Sequence, residues 1–586
     1  MKNRLYLFFG LIFLLSLSFQ SHAREIKVHV AVTADVHGHL FPYDFMADKP
    51  RASSLANVHY LTQAIRTRSS NNLILLDNGD LIQGTTAAYY ANFVQESDKN
   101  LFSRVLNFMK YDAATIGNHD IEAGPEVYNR LTEEFDFPWL GANVLKEGTQ
   151  EPYFKPYTII ERSRIRIAVL GLTTTGVPQW LPPQLWDGLE FQDMVEAAAY
   201  WVPYIKENEN PDAIIGLFHS GRGPDELREG EPTPDNASAL VARNVPGFDV
   251  IFTSHDHRER IEKVTNVDGK EVLLVGPGHF AEKLGIVEMK FDRLSRREFN
   301  LKETKAELIE TREIAPSQEF IRRFESDVSE ILEFSNKPVG KLGNTIHSIE
   351  ALFGSAPFAD LVHQVQLDIT GADISFTAPL SFDITLREGT LRTKDFFALY
   401  QYENYLYTME LSGQEIKDHL EFSYDLWVQT MQDENDHMLN FRLDEQGGIP
   451  EGRTGRGLLR NPFFNFDSAA GIIYTVDVSK PSGERIYISE MEDGSAFDPD
   501  GIYSVAINSY RGSGGGGHLT RGSGIDREEL SERMVFSTDT DLRTELMNYF
   551  RENSPVPAQK RGNWKFIPET WVEKAKERDL KLLRAE

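Results

Sequence analysis

The chain has 586 residues, with 61 Lys and Arg against 89 Asp and Glu, and therefore a formal net charge of −28. Its hydrophobic content of 41% is typical of a globular protein and excludes a disordered chain. Cysteine is absent, which excludes disulfide bonds, thiolate zinc sites and a cysteine nucleophile. The negative charge argues against a nucleic-acid polymer as partner, because phosphate backbones attract basic surfaces. An anionic substrate would therefore need a local positive site.

The first 23 residues have the pattern of a secretory signal peptide. Lys2 and Arg4 precede an apolar run over residues 5–19, and residues 21–23 form a small-x-small cleavage site. A buried N-terminal helix is the alternative interpretation. No later run has the ~18 apolar residues that a membrane span requires. We therefore expect a periplasmic or secreted protein without a membrane anchor.

Short apolar runs alternate with helix-like stretches in the first half of the chain. The runs are Val28–Thr33, Leu73–Leu76, Ala113–Ile116, Ile165–Leu172, Ala213–Phe218, Val250–Thr253 and Val272–Val275. The stretches between them include Ser54–Thr67 and Asp193–Asn208. Runs of this length, many rich in Val and Ile, are typical of strands buried on both faces. The alternation predicts an α/β domain over residues 24–310, with helices covering the sheet.

A linker helix and a second domain are predicted for the rest of the chain. Apolar residues recur at helical spacing between Ser317 and Phe334, which predicts an amphipathic linker helix within residues 311–338. Strand-like segments such as Tyr405–Leu411 and Ile472–Val478 predict a second domain over residues 339–550. We interpret residues 551–586 as a C-terminal extension that contains a helix over residues 564–583.

Polar side chains follow five of the seven predicted strands of the first domain. In extended chain, residues i and i+2 point to the same side, so Asp35 and His37 can share a target, as can His255 and His257. Ligands in α/β sheets collect just beyond the carboxyl ends of strands. The seven candidate metal ligands are Asp35, His37, Asp80, Asn118, His219, His255 and His257. The alternative, helix caps and buried core histidines, leaves the shared chemistry of five strand ends unexplained.

The donor set indicates the kind and the number of metal ions. Carboxylate, imidazole and amide donors without thiols suit Mn²⁺, Zn²⁺, Co²⁺ or a similar divalent cation. Seven donors exceed the needs of one ion that keeps open positions for a substrate. We therefore expect two divalent metal ions that share one bridging carboxylate.

The order of these residues resembles the motifs of the calcineurin-like metallophosphoesterases. The motifs are Asp35-x-His37, Gly79-Asp80, Gly117-Asn118-His119, His219 and His255-x-His257. The two-domain layout resembles the 5'-nucleotidase branch of that superfamily. Residues 76–84, 378–380, 464–467 and 508–511 are similar to the 2',3'-cyclic-nucleotide 2'-phosphodiesterase/3'-nucleotidase type. The resemblance implies an α/β fold with an N-terminal metallophosphoesterase sandwich, a linker helix and a C-terminal α/β nucleotide-specificity domain.

The resemblance also implies a role for each residue near the metals. One metal would be held by Asp35, His37, Asp80 and His257, and the other by Asp80, Asn118, His219 and His255, with Asp80 bridging. The cations would activate water and neutralise charge that develops on the phosphoryl group. His119 is not a ligand in this family and would stabilise the transition state or protonate the leaving oxygen. Glu122 either orients the His119 ring or is a solvated helix carboxylate.

Substrate selection falls to the second domain in the same resemblance. Phe466 and Tyr510 correspond to two aromatic residues that sandwich the base in relatives. Asn508, from the motif of Tyr510, is a third candidate substrate-binding residue. The glycines of residues 514–517 would let the backbone approach a ligand closely. The alternative is that both rings belong to the core and that the glycine run is only flexible.

Two departures from the 5'-nucleotidases favour the cyclic-phosphodiesterase type. Gly516 stands where those enzymes usually carry a ribose-binding Asp, and residues 378–381 replace a Gly-Gly-Ile-Arg segment. We expect a monomeric enzyme of nucleotide catabolism that hydrolyses 2',3'-cyclic and 3'-nucleotides. The alternatives are a 5'-nucleotidase/UDP-sugar hydrolase or broad phosphatase, and an exported nucleotide-binding protein without turnover. The presence of all seven ligands favours an enzyme.

Overall fold

The structure, a computed structural model, describes residues 25–228, 231–295, 298–452 and 455–584. The predicted signal peptide over residues 1–23 lies outside the described residues. Within the described ranges, no helix combines the length and the apolar character that crossing a bilayer demands.

Two six-stranded sheets form the N-terminal domain. In spatial order the first sheet contains Phe299–Glu310, Lys283–Arg293, Glu25–Thr33, Leu73–Asp77, Ala113–Thr115 and Trp139–Leu140. The second sheet contains Glu259–Thr265, Glu271–Pro277, Val250–Thr253, Ala213–His219, Ile165–Thr173 and Tyr157–Arg162. The central strands of both sheets pair in parallel. Antiparallel strands flank them on one side of the first sheet, whose other edge strand is parallel, and on both sides of the second sheet. All seven predicted strands of this domain are therefore confirmed.

Helices connect and cover these strands. They are Leu55–Arg68, Thr86–Tyr89, Leu101–Met109, Asn118–Glu122, Pro125–Glu134, Val177–Trp180, Met194–Glu209 and Ser238–Asn244. Two short ribbons pair Tyr43–Asp44 with Lys49–Pro50 and Val144–Lys146 with Leu189–Phe191. The predicted helix that follows Asp193 begins where that side chain accepts from the N–H groups of Val195 and Glu196. Such capping satisfies backbone donors that have no partner within the helix.

The two sheets pack face to face. Val30 and Leu76 of the first sheet share an apolar core with Val169 and Leu217 of the second sheet. Separate apolar cores join the outer face of each sheet to its covering helices. The N-terminal domain is therefore a four-layered α/β sandwich, as the resemblance implies.

The C-terminal domain is built on a five-stranded mixed sheet. Its strands, in spatial order, are Ser468–Ala470, Ile374–Thr377, Ile502–Asn508, Tyr405–Ser412 and Met534–Asp541. The helices of this part of the chain are Pro357–Thr370, Thr393–Leu399, Gly413–Trp427, Ser509–Gly512, Leu542–Asn553 and Glu569–Arg584. Two short ribbons pair Pro338–Leu342 with Gly389–Arg392 and Ile346–His347 with Thr385–Leu386. Leu406 and Tyr407 lie in different apolar cores, so both faces of the sheet are covered.

The residues predicted as a C-terminal extension are part of this domain. A three-stranded sheet contains Ile486–Met491, Ile472–Asp477 and Trp564–Ile567, and the last two strands pair in parallel. Val572 and Leu583 of the final helix are buried in the larger core of the domain. Residues beyond the predicted boundary at residue 550 therefore pack within this domain, and the predicted helix over residues 564–583 is present from Glu569 onwards, after a strand over residues 564–567. Residues 564–583 begin with a strand, and two of its alternate positions are aromatic, Trp564 and Phe566.

The predicted linker helix is present as two helices. Gln318–Arg323 and Glu325–Ser335 are separated at Phe324, whose backbone is non-helical. Phe320 and Phe324 are buried with Ile331 against the helices of the N-terminal domain. The break lets both phenylalanines reach that core. The linker is thereby anchored to the N-terminal domain.

Candidate metal centre

The carboxyl ends of the central strands place all seven predicted ligands in one region. Asp35 and His37 follow the first strand, Asp80 and Asn118 follow the next two strands of the same sheet, and His219 ends a strand of the second sheet. His255 and His257 follow the neighbouring strand of the second sheet. Because the two sheets pack face to face, their strand ends meet at one edge of the sandwich.

The loops that carry the ligands have an unusual backbone. Five of the seven ligands have a positive φ, namely Asp35 (45°), His37 (46°), Asp80 (53°), His255 (71°) and His257 (57°). Hydrogen bonds hold the first loop against the second, from the N–H of Asp35 to the Gly79 carbonyl at 3.0 Å and from the N–H of His37 to the Asp80 carbonyl at 2.9 Å. Gly79 is needed there, since a Cβ would lie 2.6 Å from Nδ1 of His219. The ligand geometry is therefore fixed by the backbone.

The ligand atoms form two adjacent groups. Atoms of Asp35, His37 and His257 all lie within 4.8 Å of one another, as do those of Asp80, His219 and His255. Oδ1 of Asn118 lies 3.1 Å from Nε2 of His219 and so joins the second group. The two groups match the ligand sets that the resemblance implies except that the first lacks Asp80, and the assignment of the individual ligands stays a prediction.

One oxygen of Asp80 faces both groups. Its Oδ2 lies 3.2 Å from Nε2 of His219 and 3.9 Å from Nε2 of His37. Its other oxygen accepts from the N–H of His119 at 2.9 Å. Asp80 is therefore placed where a bridging carboxylate would have to lie.

The charges of the centre fit divalent cations. Burial lowers the pKa of His37 well below its usual value and that of His257 to about 4, so both imidazoles keep a free lone pair. Their Nε2 atoms lie 3.1 Å apart. Burial raises the pKa of Asp80, but the charges of His219 and His119 outweigh it and hold that pKa well below the usual value. The neutral imidazoles of His37 and His257 beside the Asp80 carboxylate are ligands of the kind that borderline divalent metals take.

A further buried carboxylate, Asp120, holds the ligand loops together. Its Oδ2 accepts from the N–H of Asp80 at 3.0 Å and of Gly117 at 2.8 Å, and its Oδ1 accepts from that of Leu81 at 2.9 Å. Burial raises the pKa of Asp120 to about 6. No role was predicted for Asp120 from the sequence. Its place three residues after Gly117, at the start of a helix, is the capping-box spacing that could have identified it.

The predicted catalytic pair is assembled beside the metal centre. Nδ1 of His119 is hydrogen-bonded to the carboxylate of Glu122, which is buried. The His119 ring lies 5.4 Å from the ring of His37. Burial lowers the pKa of His119, but the charges of Asp80 and Glu122 outweigh this effect and raise it to about 10. Of the two readings of Glu122, the structure therefore favours the carboxylate that orients the ring.

Phe466, predicted to stack on a base, is placed in the core. It is fully buried, and its ring stacks on Trp427 with centroids 5.3 Å apart. Its backbone follows a 3₁₀ turn, Phe463–Asn465, that directs the ring inward. This corrects the prediction, because one face of the ring is occupied by Trp427 and no part of it is accessible to a substrate.

Asn508 and Tyr510 lie at the start of a short helix. Asn508 is 6% exposed and its side-chain oxygen accepts from the N–H of Arg511 at 2.8 Å, so that oxygen serves as a helix cap. Tyr510 is partly buried, with the Arg511 guanidinium 5.5 Å from its ring centroid. Arg511 also donates to the carbonyl of Phe464 at 3.1 Å. The loops of Phe464 and Tyr510 are therefore joined.

Sequence reasoning missed two aromatic residues near Tyr510. Phe464 is partly buried, and its ring lies 6.2 Å from that of Tyr402. Tyr402 interacts electrostatically with Tyr510 and with Glu122 of the N-terminal domain, while burial raises its pKa. Tyr402 thus links the Phe464 ring to the surroundings of both Tyr510 and Glu122. The run of two phenylalanines before Asn465 was the available signal.

The family comparisons match both halves of the chain. Residues 28–259 match the model of the calcineurin-like phosphoesterases. Residues 338–521 match the model of the 5'-nucleotidase C-terminal domain. The chain is a calcineurin-like phosphoesterase with a 5'-nucleotidase C-terminal domain. The predicted family and the mixed α/β fold are confirmed, and the expected class, a phosphoric ester hydrolase, is the class of this family. Members of this family use divalent metals, in agreement with the two ligand groups.

Individual relatives agree with this assignment. The trifunctional nucleotide phosphoesterase protein YfkN of Bacillus subtilis is 27% identical over 94% of this chain, which spans only 39% of that relative. The 2',3'-cyclic-nucleotide 2'-phosphodiesterase/3'-nucleotidase of Haemophilus influenzae is 26% identical over 94% of this chain and 89% of its own length. A Staphylococcus aureus protein crystallised with α-ketoglutarate shares the fold, with a TM-score of 0.74, 22% identity and coverage of 92% of this chain and 99% of its own.

Proposed function

We propose that this phosphoesterase hydrolyses nucleotides, that 2',3'-cyclic nucleotides and 3'-nucleotides are its preferred substrates, and that it acts with two divalent cations. The observation that carries the hydrolytic part is the position of Asp80 Oδ2, which faces both ligand groups. Shared carboxylates of this kind serve two-metal phosphoryl chemistry. The curated relatives described above support a nucleotide as substrate.

The chain's own residues have defined tasks in this reaction. Bound cations supply Lewis-acid stabilisation of the phosphoryl group and a nucleophile at neutral pH. The charges of Asp80 and Glu122 raise the pKa of His119 to about 10 against the effect of burial, which favours a ring that carries a second proton. It can therefore donate that proton to the leaving oxygen of the substrate. Glu122 holds the ring through Nδ1, which leaves Nε2 to face the substrate.

Residues of the second domain support the proposed preference for 2',3'-cyclic nucleotides and 3'-nucleotides. A Cβ at Gly516 would lie 2.1 Å from Nη1 of Arg511 and 2.8 Å from Oδ1 of Asn465, so an Asp there, as in 5'-nucleotidases, would have to displace both side chains. Ala378 and Leu380 are buried in an apolar core. The segment that replaces Gly-Gly-Ile-Arg thus offers no cationic side chain for a 5'-phosphate.

A single site can serve both proposed reactions. Water that attacks the cyclic phosphodiester breaks the bond to O2' and leaves a 3'-nucleotide. A second water then releases phosphate and the nucleoside. The scissile phosphate stays on the same side of the ribose in both steps, so the base can keep one set of contacts. We assign these contacts to Tyr510 and Phe464.

Comparison of kcat/KM values tests the proposal. We expect higher values for 2',3'-cyclic AMP and 3'-AMP than for 5'-AMP and UDP-glucose, because this ratio measures differential binding of the transition state. The enzyme should be stripped with EDTA and reloaded with Mn²⁺, Co²⁺ or Zn²⁺ in parallel. A preference for 5'-AMP or UDP-glucose would identify the alternative specificity. Binding of nucleotides without turnover at any metal would contradict the proposal of an enzyme.

We also propose that the chain is exported to the periplasm or secreted. The charged start, the apolar run over residues 5–19 and the small-x-small site support cleavage after Ala23. Mass spectrometry of the protein from an expressing bacterium should find a mature N-terminus at Arg24 in the exported fraction. An intact N-terminus with the protein retained in the cytosol would contradict export.

A further inference from the structure

A hydrogen-bonded chain connects the C-terminal domain to the metal centre. Nδ1 of His37 lies 3.2 Å from Oε1 of Gln83. Nε2 of Gln83 donates to Oε2 of Glu403 at 2.9 Å, although the two residues are 320 positions apart. Oε1 of Glu403 accepts from Arg543 at 2.6 Å. Four side chains from both domains are thereby joined in series.

The position of Glu403 is fixed from the C-terminal side. Arg543 is fully buried and lies over the ring of Phe397, with 3.7 Å from its Cζ to the ring centroid. It also donates to the carbonyl of Gln401 at 3.1 Å and lies 5.0 Å from the ring of Tyr89 in the N-terminal domain. A guanidinium with so many partners has little freedom to move. Its ion pair therefore holds the Glu403 carboxylate in one place.

The hydrogen-bond donors and acceptors of these four side chains can be arranged in only one way. A carboxylate paired with arginine only accepts hydrogen bonds, so Gln83 must turn its amide NH₂ towards Glu403. The amide oxygen then faces His37 and requires a donor there. A neutral imidazole carries one hydrogen, and in this arrangement it lies on Nδ1. Nε2 of His37, which faces Asp80 and His257, is left with a lone pair.

We propose that Gln83 and Glu403 are positioning residues that hold His37 in the tautomer whose Nε2 can bind a metal. The metal centre of the N-terminal domain is thus completed by a carboxylate of the C-terminal domain. The proposal rests on the proposed function only in taking His37 as a ligand. Partners of this kind, which orient a metal-binding histidine, change metal affinity about 10- to 100-fold when they are removed.

Two variants interrupt the series of hydrogen bonds at different residues. Gln83→Leu removes both of its hydrogen bonds. Glu403→Gln keeps the shape but lets the Gln83 amide turn over and present its NH₂ to His37, which favours the wrong tautomer. Lys394→Gln is the matched control, because the Lys394–Asp48 ion pair of 2.7 Å also joins the two domains but does not touch His37. A thermal melt of each variant checks that the fold is retained.

Mn²⁺ titration of the metal-free full chain provides the first measurement. We expect Gln83→Leu to weaken one of two Mn²⁺ sites by about 10- to 100-fold and Glu403→Gln to weaken the same site by about 10-fold. Lys394→Gln should leave both affinities unchanged. Unchanged Mn²⁺ affinities in both Gln83→Leu and Glu403→Gln, or an equal loss of affinity in Lys394→Gln, would overturn the proposal.

The tautomer of His37 provides the second measurement. In ¹⁵N-histidine-labelled metal-free protein, the His37 resonance should report a hydrogen on Nδ1 in the wild type and a shift towards Nε2 in Glu403→Gln. The same tautomer in both proteins would overturn the proposal. Neither measurement involves a nucleotide, so a substrate preference other than the proposed one leaves this result intact. If the wild type bound no Mn²⁺, the proposed function would fail, whereas the tautomer would still decide the positioning role.

Discussion

Nδ1 of His119 and the carboxylate of Glu122 are hydrogen-bonded across one turn of a helix that begins at a metal-ligand candidate, Asn118. The pair is only partly open to solvent, with 28% of the His119 side chain and 6% of the Glu122 side chain exposed. A carboxylate held in this way fixes both the orientation and the charge of the imidazole. Catalysis should therefore depend on both residues, and to different degrees.

Replacement of the pair should lower turnover without loss of metal. His119→Ala removes the proton donor and should reduce kcat by about 10²- to 10⁴-fold. Glu122→Gln keeps a hydrogen-bond acceptor but removes a charge that raises the His119 pKa, so a smaller loss of about 10-fold is expected. Kinetics with bis(p-nitrophenyl) phosphate and elemental analysis measure the two effects. Glu126→Gln, on an exposed residue of the next helix, is the control. Loss of metal in His119→Ala would assign that residue a ligand role instead.

Loss of Asp80 should empty the centre. Asp80→Ala removes the oxygen that faces both ligand groups, so bound metal should fall well below about two ions per chain and activity should vanish. Asp77→Asn is the matched control. Burial raises the pKa of Asp77 to about 8, so at neutral pH it is a protonated acid that Asn resembles in shape and charge. Full metal content in Asp80→Ala would contradict a bridging role.

Replacement of either aromatic residue assigned to the base should lower activity on nucleotides but not on substrates without a base. Base stacking is worth ~1–3 kcal/mol, so Tyr510→Ala and Phe464→Ala should each lower kcat/KM for 2',3'-cyclic AMP by about 5- to 150-fold. Hydrolysis of bis(p-nitrophenyl) phosphate, which has no base, should change by less than about threefold.

Phe466→Ala should behave differently from both. Its ring is buried against Trp427, and truncation of a buried phenylalanine costs about 3–5 kcal/mol of stability. We therefore expect a lower melting temperature and parallel losses on both substrates. A selective loss on the nucleotide with an unchanged melting temperature would restore Phe466 as the stacking residue.

Acid should destabilise the C-terminal domain through His363. This residue is fully buried between the hydroxyls of Ser375 and Ser468, and burial lowers its pKa to about 3 from 6.5. The unfolded chain therefore binds a proton that the folded chain does not, and stability falls as the pH drops from 6.5 towards 3. The contribution of His363 to the free energy of unfolding changes by at most about 1.4 kcal/mol per pH unit.

Denaturant unfolding between pH 7 and pH 4 measures this effect. His363→Gln keeps hydrogen-bonding capacity for both serines but cannot titrate, so its stability should depend less on pH than that of the wild type. His347→Gln, on a partly exposed histidine of the same domain, should retain the wild-type dependence. An identical pH dependence in His363→Gln and the wild type would show that His363 does not carry the effect.

The sequence allowed the metal centre to be predicted because its ligands follow strands directly. Parallel neighbours end at the same edge of a sheet, so Asp35, Asp80 and Asn118 had to meet once the strands were recognised. The spacing Asp35-x-His37 required no knowledge of distant parts of the chain. For the same reason the strands of both sheets were recognisable from short apolar runs.

Features that depend on distant contacts could not be predicted in this way. The choice between Phe464 and Phe466 is made by a 3₁₀ turn and by Trp427, which lies in a different helix. The final strand is identified by its pairing with Ile472–Asp477. The break in the linker is identified by the burial of Phe320 and Phe324 in the core of the N-terminal domain. Glu403 reaches Gln83 only because the domains are placed as they are. Periodicity carries no information about such placement.

The left-handed backbone of the ligand loops sets a limit on protein engineering. Such a conformation costs a non-glycine residue about 1–2 kcal/mol, and five ligand positions adopt it. Their sum is comparable with the net stability of a typical domain, about 5–15 kcal/mol. Thermostabilising changes at these positions would therefore be easy to find and would abolish activity. Arg164, with a φ of 72° in a hairpin turn far along the chain from any ligand, is a position where Arg164→Gly can relieve the same cost and leave the catalytic centre intact.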